Sequence, residues 1–500
     1  MDRREFIKLA VAGVGIAQAG LGLLACGGGG GVSRTKNPLR VPSSDGGLLG
    51  FYKPSGPFIL TAEPTHLEIL PGRSTRMLTY RVGDYINPTI VLRKGDTLEV
   101  GFKNRIGEKS IIHWHGFRAD WESDGHPYYA VEDGETYSYL PINIIDRSGT
   151  YFYHPHPHGR TGYQVYHGLA GMIIIEDDDE DALRYELDLR LGETDIPLVI
   201  QDKTFYPDGS LRYDPMGMNG AMGFWGERVL VNLTPDPFLE VERRIYRFRL
   251  LNASNTRPYR LVLLKGGERR RFWVIGVEGG LLESPQETRE ILIAPGERVD
   301  ILIDFREDGV GDVLRLYNLP HNLVGMGNGM GMELINGEFE VLEFRVLRDT
   351  TYTKDIPPVL STIDPIDTTS ATKLTIPLTM QNGRFTIDGK TWDENNALAD
   401  YGYNFSNGDV IVIEFINETG MFHPMHLHGF QFQIIRRNGN GDLRPTDLGW
   451  KDTVIVGPNE SVEIAVDMSH NFGREQVYLL HCHILEHHDA GMMVNYRVGS

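Results

Sequence analysis

Cysteine is the first thing this 500-residue chain is short of: it has two, Cys26 and Cys482. Two cysteines build no disulfide framework, and an iron–sulfur cluster would need several. Basic charge is also short. Forty-nine lysines and arginines face 68 carboxylates, for a formal charge of −19. A field of that sign repels phosphate backbones, so nucleic acid is not expected as a partner. Membrane-spanning runs and convincing long amphipathic helices are missing too, which excludes a multi-span membrane protein. An apolar fraction of 41% with 23% charged residues is ordinary for a folded soluble chain, about three domains at ~150 residues each. What the chain has in quantity is 17 histidines, 15 methionines, 58 glycines and 27 prolines. Gly and Pro at that density suit short strands and turns.

The N-terminal segment reads as an address. Asp2-Arg3-Arg4-Glu5-Phe6-Ile7-Lys8 resembles a twin-arginine export motif and precedes a charge-free, Gly- and Ala-rich stretch from Leu9 to Ala25. Leu23-Leu24-Ala25-Cys26 resembles a lipoprotein processing site. It implies cleavage before Cys26, a lipid on its thiol and a flexible tether from Gly27 to Ser33. The expectation is export in the folded state to the periplasm or cell envelope, with a membrane tether through Cys26.

Beyond residue 40 the period is that of strands. Thr97-Leu98-Glu99-Val100-Gly101-Phe102, Val299-Asp300-Ile301-Leu302-Ile303-Asp304 and Val410-Ile411-Val412-Ile413-Glu414-Phe415 all alternate, bounded by turn residues as in β-sandwiches. One unit recurs. Pro295-Gly296-Glu297-Arg298-Val299-Asp300-Ile301 returns as Pro458-Asn459-Glu460-Ser461-Val462-Glu463-Ile464 and, more weakly, as Asp133-Gly134-Glu135-Thr136-Tyr137. The three glutamates lie 162 and 163 residues apart. A second repeat joins only the outer copies. Gly95 precedes His113 by 18 residues, and Gly408 precedes His426 by 18. The reading is a leader and tether over 1–40 and three related β domains over 41–190, 191–350 and 351–500. The outer two carry histidines, the middle one acts as a spacer, and the Thr- and Pro-rich 349–372 is the linker.

Four clusters hold most of the histidine: His113-Trp114-His115, His154-Pro155-His156-Pro157-His158, His423-Pro424-Met425-His426-Leu427-His428, and His481-Cys482-His483 with His487 and Met492. In a strand, residues i and i+2 share a face, so each His-x-His pair offers two imidazoles to one metal or to adjacent metals. Four such pairs point to a polynuclear site. The isolated His66, His321 and His470 read as structural, and His126, His158 and His167 as structural or supporting. One thiolate, two imidazoles and a weak thioether match a blue-copper site, and His423, Cys482, His487 and Met492 supply that set. Zinc would usually recruit more cysteines or a three-ligand open site.

With these motifs the chain resembles the three-domain bacterial multicopper oxidases, the family of laccases, bilirubin oxidases and copper-efflux oxidases. The resemblance implies three cupredoxin-like Greek-key β-sandwich domains and four copper ions. It matches His113 and His426 to type 2 copper. His115, His154 and His483 match one type 3 copper, and His156, His428 and His481 the other. His423, Cys482 and His487 match type 1, with Met492 axial. It implies one-electron oxidation of a donor at type 1 copper and four-electron reduction of dioxygen to water at the other three.

Two departures bear on mechanism and substrate. Where the family commonly carries a proton-delivering glutamate, this chain has His488, which reads as a proton shuttle or a solvated neighbour. The family's other acidic residue matches Asp124. Phenol-type donors are expected, with Cu(I) the alternative. Met216, Met218 and Met222, and Met326, Met330 and Met332, are soft side chains in Gly-rich stretches, and Met421 matches a Cu(I) ligand of the efflux oxidases. Thr419, however, stands where those enzymes have an acid. The competing classes are a copper-binding protein without activity and a structural cell-envelope protein of the same fold. A two-domain nitrite reductase is disfavoured by chain length. A monomer is expected.

Overall fold

In the computed structural model the described residues are 35–217, 220–324 and 332–500. The export motif, Cys26 and its tether lie outside them, as do Met218, Met326 and Met330. Among the described residues no helix is long and apolar enough to cross a membrane.

The alternating segments form sheets as expected, and the fold is all-β. Each third of the chain folds its strands into two main sheets around a separate apolar core. The first third pairs a five-stranded sheet, running from Ile112–His115 through Gly149–Pro155 and Gly171–Glu176, with a six-stranded sheet built on Phe58–Glu68 and Ser74–Val82. Leu60, Tyr80, Phe102, Trp114, Tyr153 and Ile173 are buried between them. Two seven-stranded sheets enclose Phe248, Leu261, Ile301 and Phe344 in the middle third. Two five-stranded sheets enclose Ile413, Phe415, Ile464 and Tyr478 in the last. Parallel pairings such as Thr372–Gln381 with Val410–Asn417 lie beside antiparallel ones, as the crossovers of cupredoxin-like Greek-key sandwiches require.

Strand register places the histidines. Ile112–His115 runs antiparallel to Gly149–Pro155 with His113 opposite His154. His423–Leu427 runs antiparallel to Gln476–Cys482 with His426 opposite His481 and Met425 opposite Cys482. A slip of one residue in either pair would turn the imidazoles to the other face. After Cys482 the chain leaves the sheet, makes the short helix Leu485–Asp489, and returns as Met493–Val498 beside the strand it left. That excursion carries His487, His488 and Met492.

Candidate metal centre

The four His-x-His pairs do present both rings on one side. Ring centroids are 5.5 Å apart in His113/His115, 5.8 Å in His154/His156, 4.9 Å in His426/His428 and 5.8 Å in His481/His483. Pairs from the first third meet pairs from the last. Nε2 of His113 lies 3.2 Å from Nε2 of His426. Nε2 of His481 lies 3.3 Å from that of His156 and 3.0 Å from that of His428. The nitrogens of His115, His154 and His483 gather within 4.8 Å of one another. Nitrogens at such separations can share one metal with bonds of about 2 Å.

Most of the inward nitrogens are free because the outward ones are spent. Nδ1 of His113 is bonded to the Asp124 carbonyl (2.6 Å), that of His154 to the Pro155 carbonyl (2.9 Å) and that of His426 to the Asp452 carbonyl (2.8 Å). Nδ1 of His481 bonds the Cys482 carbonyl (3.0 Å), and that of His428 a carboxylate oxygen of Asp124 (2.6 Å). Carbonyl and carboxylate partners of this kind set the tautomer of metal-binding histidines. Among the described residues neither nitrogen of His483, buried in the same cluster, has a partner. A buried polar group left so costs about 1–3 kcal/mol, a cost that a metal ligated there removes. Burial also holds these imidazoles well below their usual value, His481 at about 4, so their lone pairs are open.

Asp124 reaches two cluster histidines at once, His113 by its carbonyl and His428 by its side chain. The Asp124-Gly125 pair makes this close approach possible. Gly125 has φ +95°, and a Cβ there would lie 2.2 Å from the Ile112 carbonyl oxygen. Burial pushes the Asp124 carboxyl up, and neighbouring Asp120 adds to it.

The second set is mononuclear in form. Sγ of Cys482 lies 3.5 Å from Nδ1 of both His423 and His487. Their other nitrogens face Oγ1 of Thr419 (2.9 Å) and the Ala221 carbonyl (3.0 Å), and Phe385 packs on both rings. Met492 is fully buried in the same apolar cluster as Cys482, and its carbonyl accepts from the Cys482 amide at 3.1 Å. Met493 faces elsewhere, against Trp392 and Leu479. Burial pushes the Cys482 thiol up, so metal binding must displace its proton. The donor sets therefore fit metal: one thiolate site and one site of eight imidazoles, joined through His481-Cys482-His483.

His488 is not a solvated neighbour. It is fully buried, with its ring edge-on to His156 at 4.5 Å and to His481 at 4.9 Å. Its Nδ1 lies 3.3 Å from Oδ1 of Asp489, and Nε2 has no partner among the described residues. Asp489 lines a cavity of about 490 Å³ with His158, Tyr213 and Trp392. Of the remaining histidines, His126 contacts Asn495 (3.2 Å), His167 is bonded to the Tyr163 carbonyl and His470 to that of Gly499. Met216 and Met222 are half-buried against the core that holds Cys482, and Met421 is buried in it. Sequence reading did not find Asp452 or Arg298, since both lack the His-x-His signature. Oδ1 of Asp452 lies 2.9 Å from Nε2 of His115, and Arg298 pairs with that carboxylate.

Comparison with known proteins follows the same lines. Family models described as multicopper oxidase match residues 61–180 and 365–500. The crystal structure of the McoA multicopper oxidase from the hyperthermophile Aquifex aeolicus is 59% identical. It covers 93% of this chain and 100% of that one, with a TM-score of 0.88. The multicopper oxidase mco of Staphylococcus aureus is 31% identical over 88% of each chain. A Bacillus subtilis laccase is 31% identical over 84% of this chain and 89% of its own length.

Proposed function

The chain belongs to the multicopper oxidases, and from that membership we propose a laccase-like activity: one-electron oxidation of phenol-type donors coupled to reduction of dioxygen to water. The observation that carries this reading is the pairing of two convergent donor sets through three consecutive residues, His481, Cys482 and His483. Four coppers fit the sets. His423, Cys482, His487 and Met492 would hold one. His113 with His426, His115 with His154 and His483, and His156 with His428 and His481 would hold three. Copper bound there supplies one-electron uptake from the donor at the thiolate site and electron delivery to dioxygen at the histidine site.

The chain's own residues then set the path. Cys482 stands between two cluster histidines in sequence, and its carbonyl is bonded to Nδ1 of His481. Electrons thus need cross only a peptide unit and one hydrogen bond. Protons must arrive separately. His488 can hold one at Nε2 against His156 and His481, with Asp489 linking it to the neighbouring cavity. Asp124 can hold another beside His428.

Thr419 supports the phenol reading over Cu(I). Its hydroxyl is committed to His423, Asn417 and the Met421 carbonyl, and it carries no charge for a metal substrate. Met216 and Met222, packed near the thiolate site in the loop whose Ala221 carbonyl caps His487, keep cuprous oxidation as the second reading. Oxygen uptake by the copper-loaded protein, with a dimethoxyphenol against Cu(I), separates the two. A copper-binding or structural protein would show background uptake with both. We also propose that the N-terminal segment exports the folded protein to the cell envelope and anchors it through Cys26. Cys26→Ser should release the protein from the membrane fraction.

A further inference from the structure

The middle third supplies no histidine to either donor set, yet its Pro295-Gly296-Glu297-Arg298 turn runs into the eight-histidine cluster. Gly296 has φ +84°, and a Cβ there would lie 2.8 Å from the His483 ring. Arg298 is fully buried and reaches across to the last third. Its Nη1 donates to Oδ1 of Asp452 at 2.9 Å, and Nη2 donates to Oδ2. Nε donates to the Thr150 carbonyl of the first third at 2.9 Å, and Nη1 also to the Gly296 carbonyl at 2.8 Å. One guanidinium thus ties together all three parts of the chain.

What the held carboxylate does is specific. Oδ1 of Asp452 lies 2.9 Å from Nε2 of His115, and Oγ1 of Thr453 donates to that same oxygen at 2.8 Å. Which nitrogen of an imidazole binds metal is set by the hydrogen bond that the other one makes. His113, His154, His426, His428 and His481 all commit Nδ1 and turn Nε2 inward. His115 is the reverse. Its Nε2 is committed, and Nδ1 lies 3.4 Å from Nε2 of His154. We infer that Arg298 is a positioning residue for the copper cluster. By fixing the Asp452 carboxylate it holds His115 in the orientation and tautomer that offer Nδ1 to metal. The middle domain is therefore part of the site and not only a spacer.

The repeat supports a dedicated role. Glu297 and Glu460, at matching positions, both accept a backbone N–H three residues back, Ala294 at 2.7 Å and Gly457 at 2.6 Å. The glutamate shapes the turn in both copies. The next residue is Arg298 in one and Ser461 in the other, so the turn itself needs no arginine. Without the guanidinium, Asp452 would be a buried and uncompensated carboxylate. A carboxylate that has lost the fork gripping both of its oxygens is free to turn, and turning it withdraws Oδ1 from Nε2 of His115.

The inference rests on the histidines being copper ligands, and the test separates the two. Wild type, Arg298→Met and Arg298→Lys are loaded with copper and dialysed against a graded series of chelator. Copper per chain, the blue thiolate absorption and the paramagnetic resonance of the cluster are followed. Loss of a residue supporting a ligand typically costs 10–100-fold in metal affinity. Arg298→Met should release cluster copper at 10–100-fold weaker chelation while staying blue, because no thiolate-site residue touches Arg298. Arg298→Lys, which keeps the charge but cannot grip both oxygens, should fall between. Cluster copper held by Arg298→Met as tightly as by wild type overturns the inference. Loss of blue colour together with cluster copper also overturns it, since the arginine would then serve folding in general. A wild type that holds only the blue copper overturns the inference and the copper reading together.

Discussion

Single side chains divide the labour at this site, and each can be removed in turn. Cys482→Ser should abolish the blue absorption, which comes from the copper–thiolate bond, and oxidase turnover with it. A serine variant that stays blue would place the thiolate site elsewhere. Met492→Leu should leave a folded blue protein with a raised redox potential. A thioether donates some electron density to oxidised copper, and leucine fills the same volume without donating. Met493 lies in a different apolar cluster, against Trp392, so the same change there should leave the potential unmoved. His488→Ala should slow reoxidation of the reduced enzyme by dioxygen about 10²-fold, the lower range for loss of a proton-transfer group. Anaerobic reduction of the thiolate site by donor should be unaffected. Stopped-flow reoxidation equal to wild type would leave Asp124 and water as the proton carriers.

At the scale of elements, the strand Ile245–Asn252 does work that no metal explains. Its Arg247 and Arg249 are fully buried and pair with Glu180 on the helix Asp178–Glu186, with Asp195 and with Asp300. Thr150 of the first third bonds Asp300 at 2.8 Å, so the network joins two sandwiches. Burial alone would raise the Glu180 carboxyl, but Arg247, Arg249 and Arg184 outweigh it and hold it at about 2. The sign follows. A carboxylate lowered by folding adds stability that is complete above its unfolded value, near 4.3, and is lost as pH falls toward 2. Arg249→Met should cost about 3–5 kcal/mol at neutral pH, the usual cost of breaking a buried pair from one side. It should also flatten the decline of melting temperature between about pH 4.5 and 2. Calorimetry across that range is the test, and an unchanged acid limb would count against the network.

For the whole molecule, copper held by histidines from both ends of the chain would be a fastener as well as a reagent. The eight histidines come from residues 113–156 and 426–483, and their inward nitrogens have little to bond to but each other. Copper that binds the native arrangement and not the unfolded chain stabilises by mass action, about 4 kcal/mol at a thousandfold excess over Kd. Chelated protein should therefore melt at a lower temperature, and added copper should restore it. The stabilisation should shrink on acidification, because binding displaces the Cys482 proton. If loaded and chelated forms melt together, copper does not bridge the outer domains.

Some of this could be read along the chain. Strand period, the spaced Pro-x-Glu repeats and the doubled Gly-to-His interval of 18 residues declare a repeated β architecture with histidines in its outer copies. The His-x-His pairs declare ligands because i and i+2 share a face in any strand, whatever the strand packs against. Those are local facts, and local order determines them. What only the tertiary structure decided depends on groups that come together across hundreds of residues. Sequence reads His488 as a relay with a solvated neighbour as the alternative; packing against His156 and His481 decides that it is buried. Thr419, read as a missing acid, is a partner of His423. Asp452 carries no motif and Arg298 only its place in the turn repeat, and their meaning comes from a guanidinium 154 residues away from the carboxylate it grips. A ligand is chosen by its own chemistry, which sequence records. The nitrogen that the ligand offers is chosen by its neighbour's hydrogen bond, and that neighbour is found only once the chain has folded.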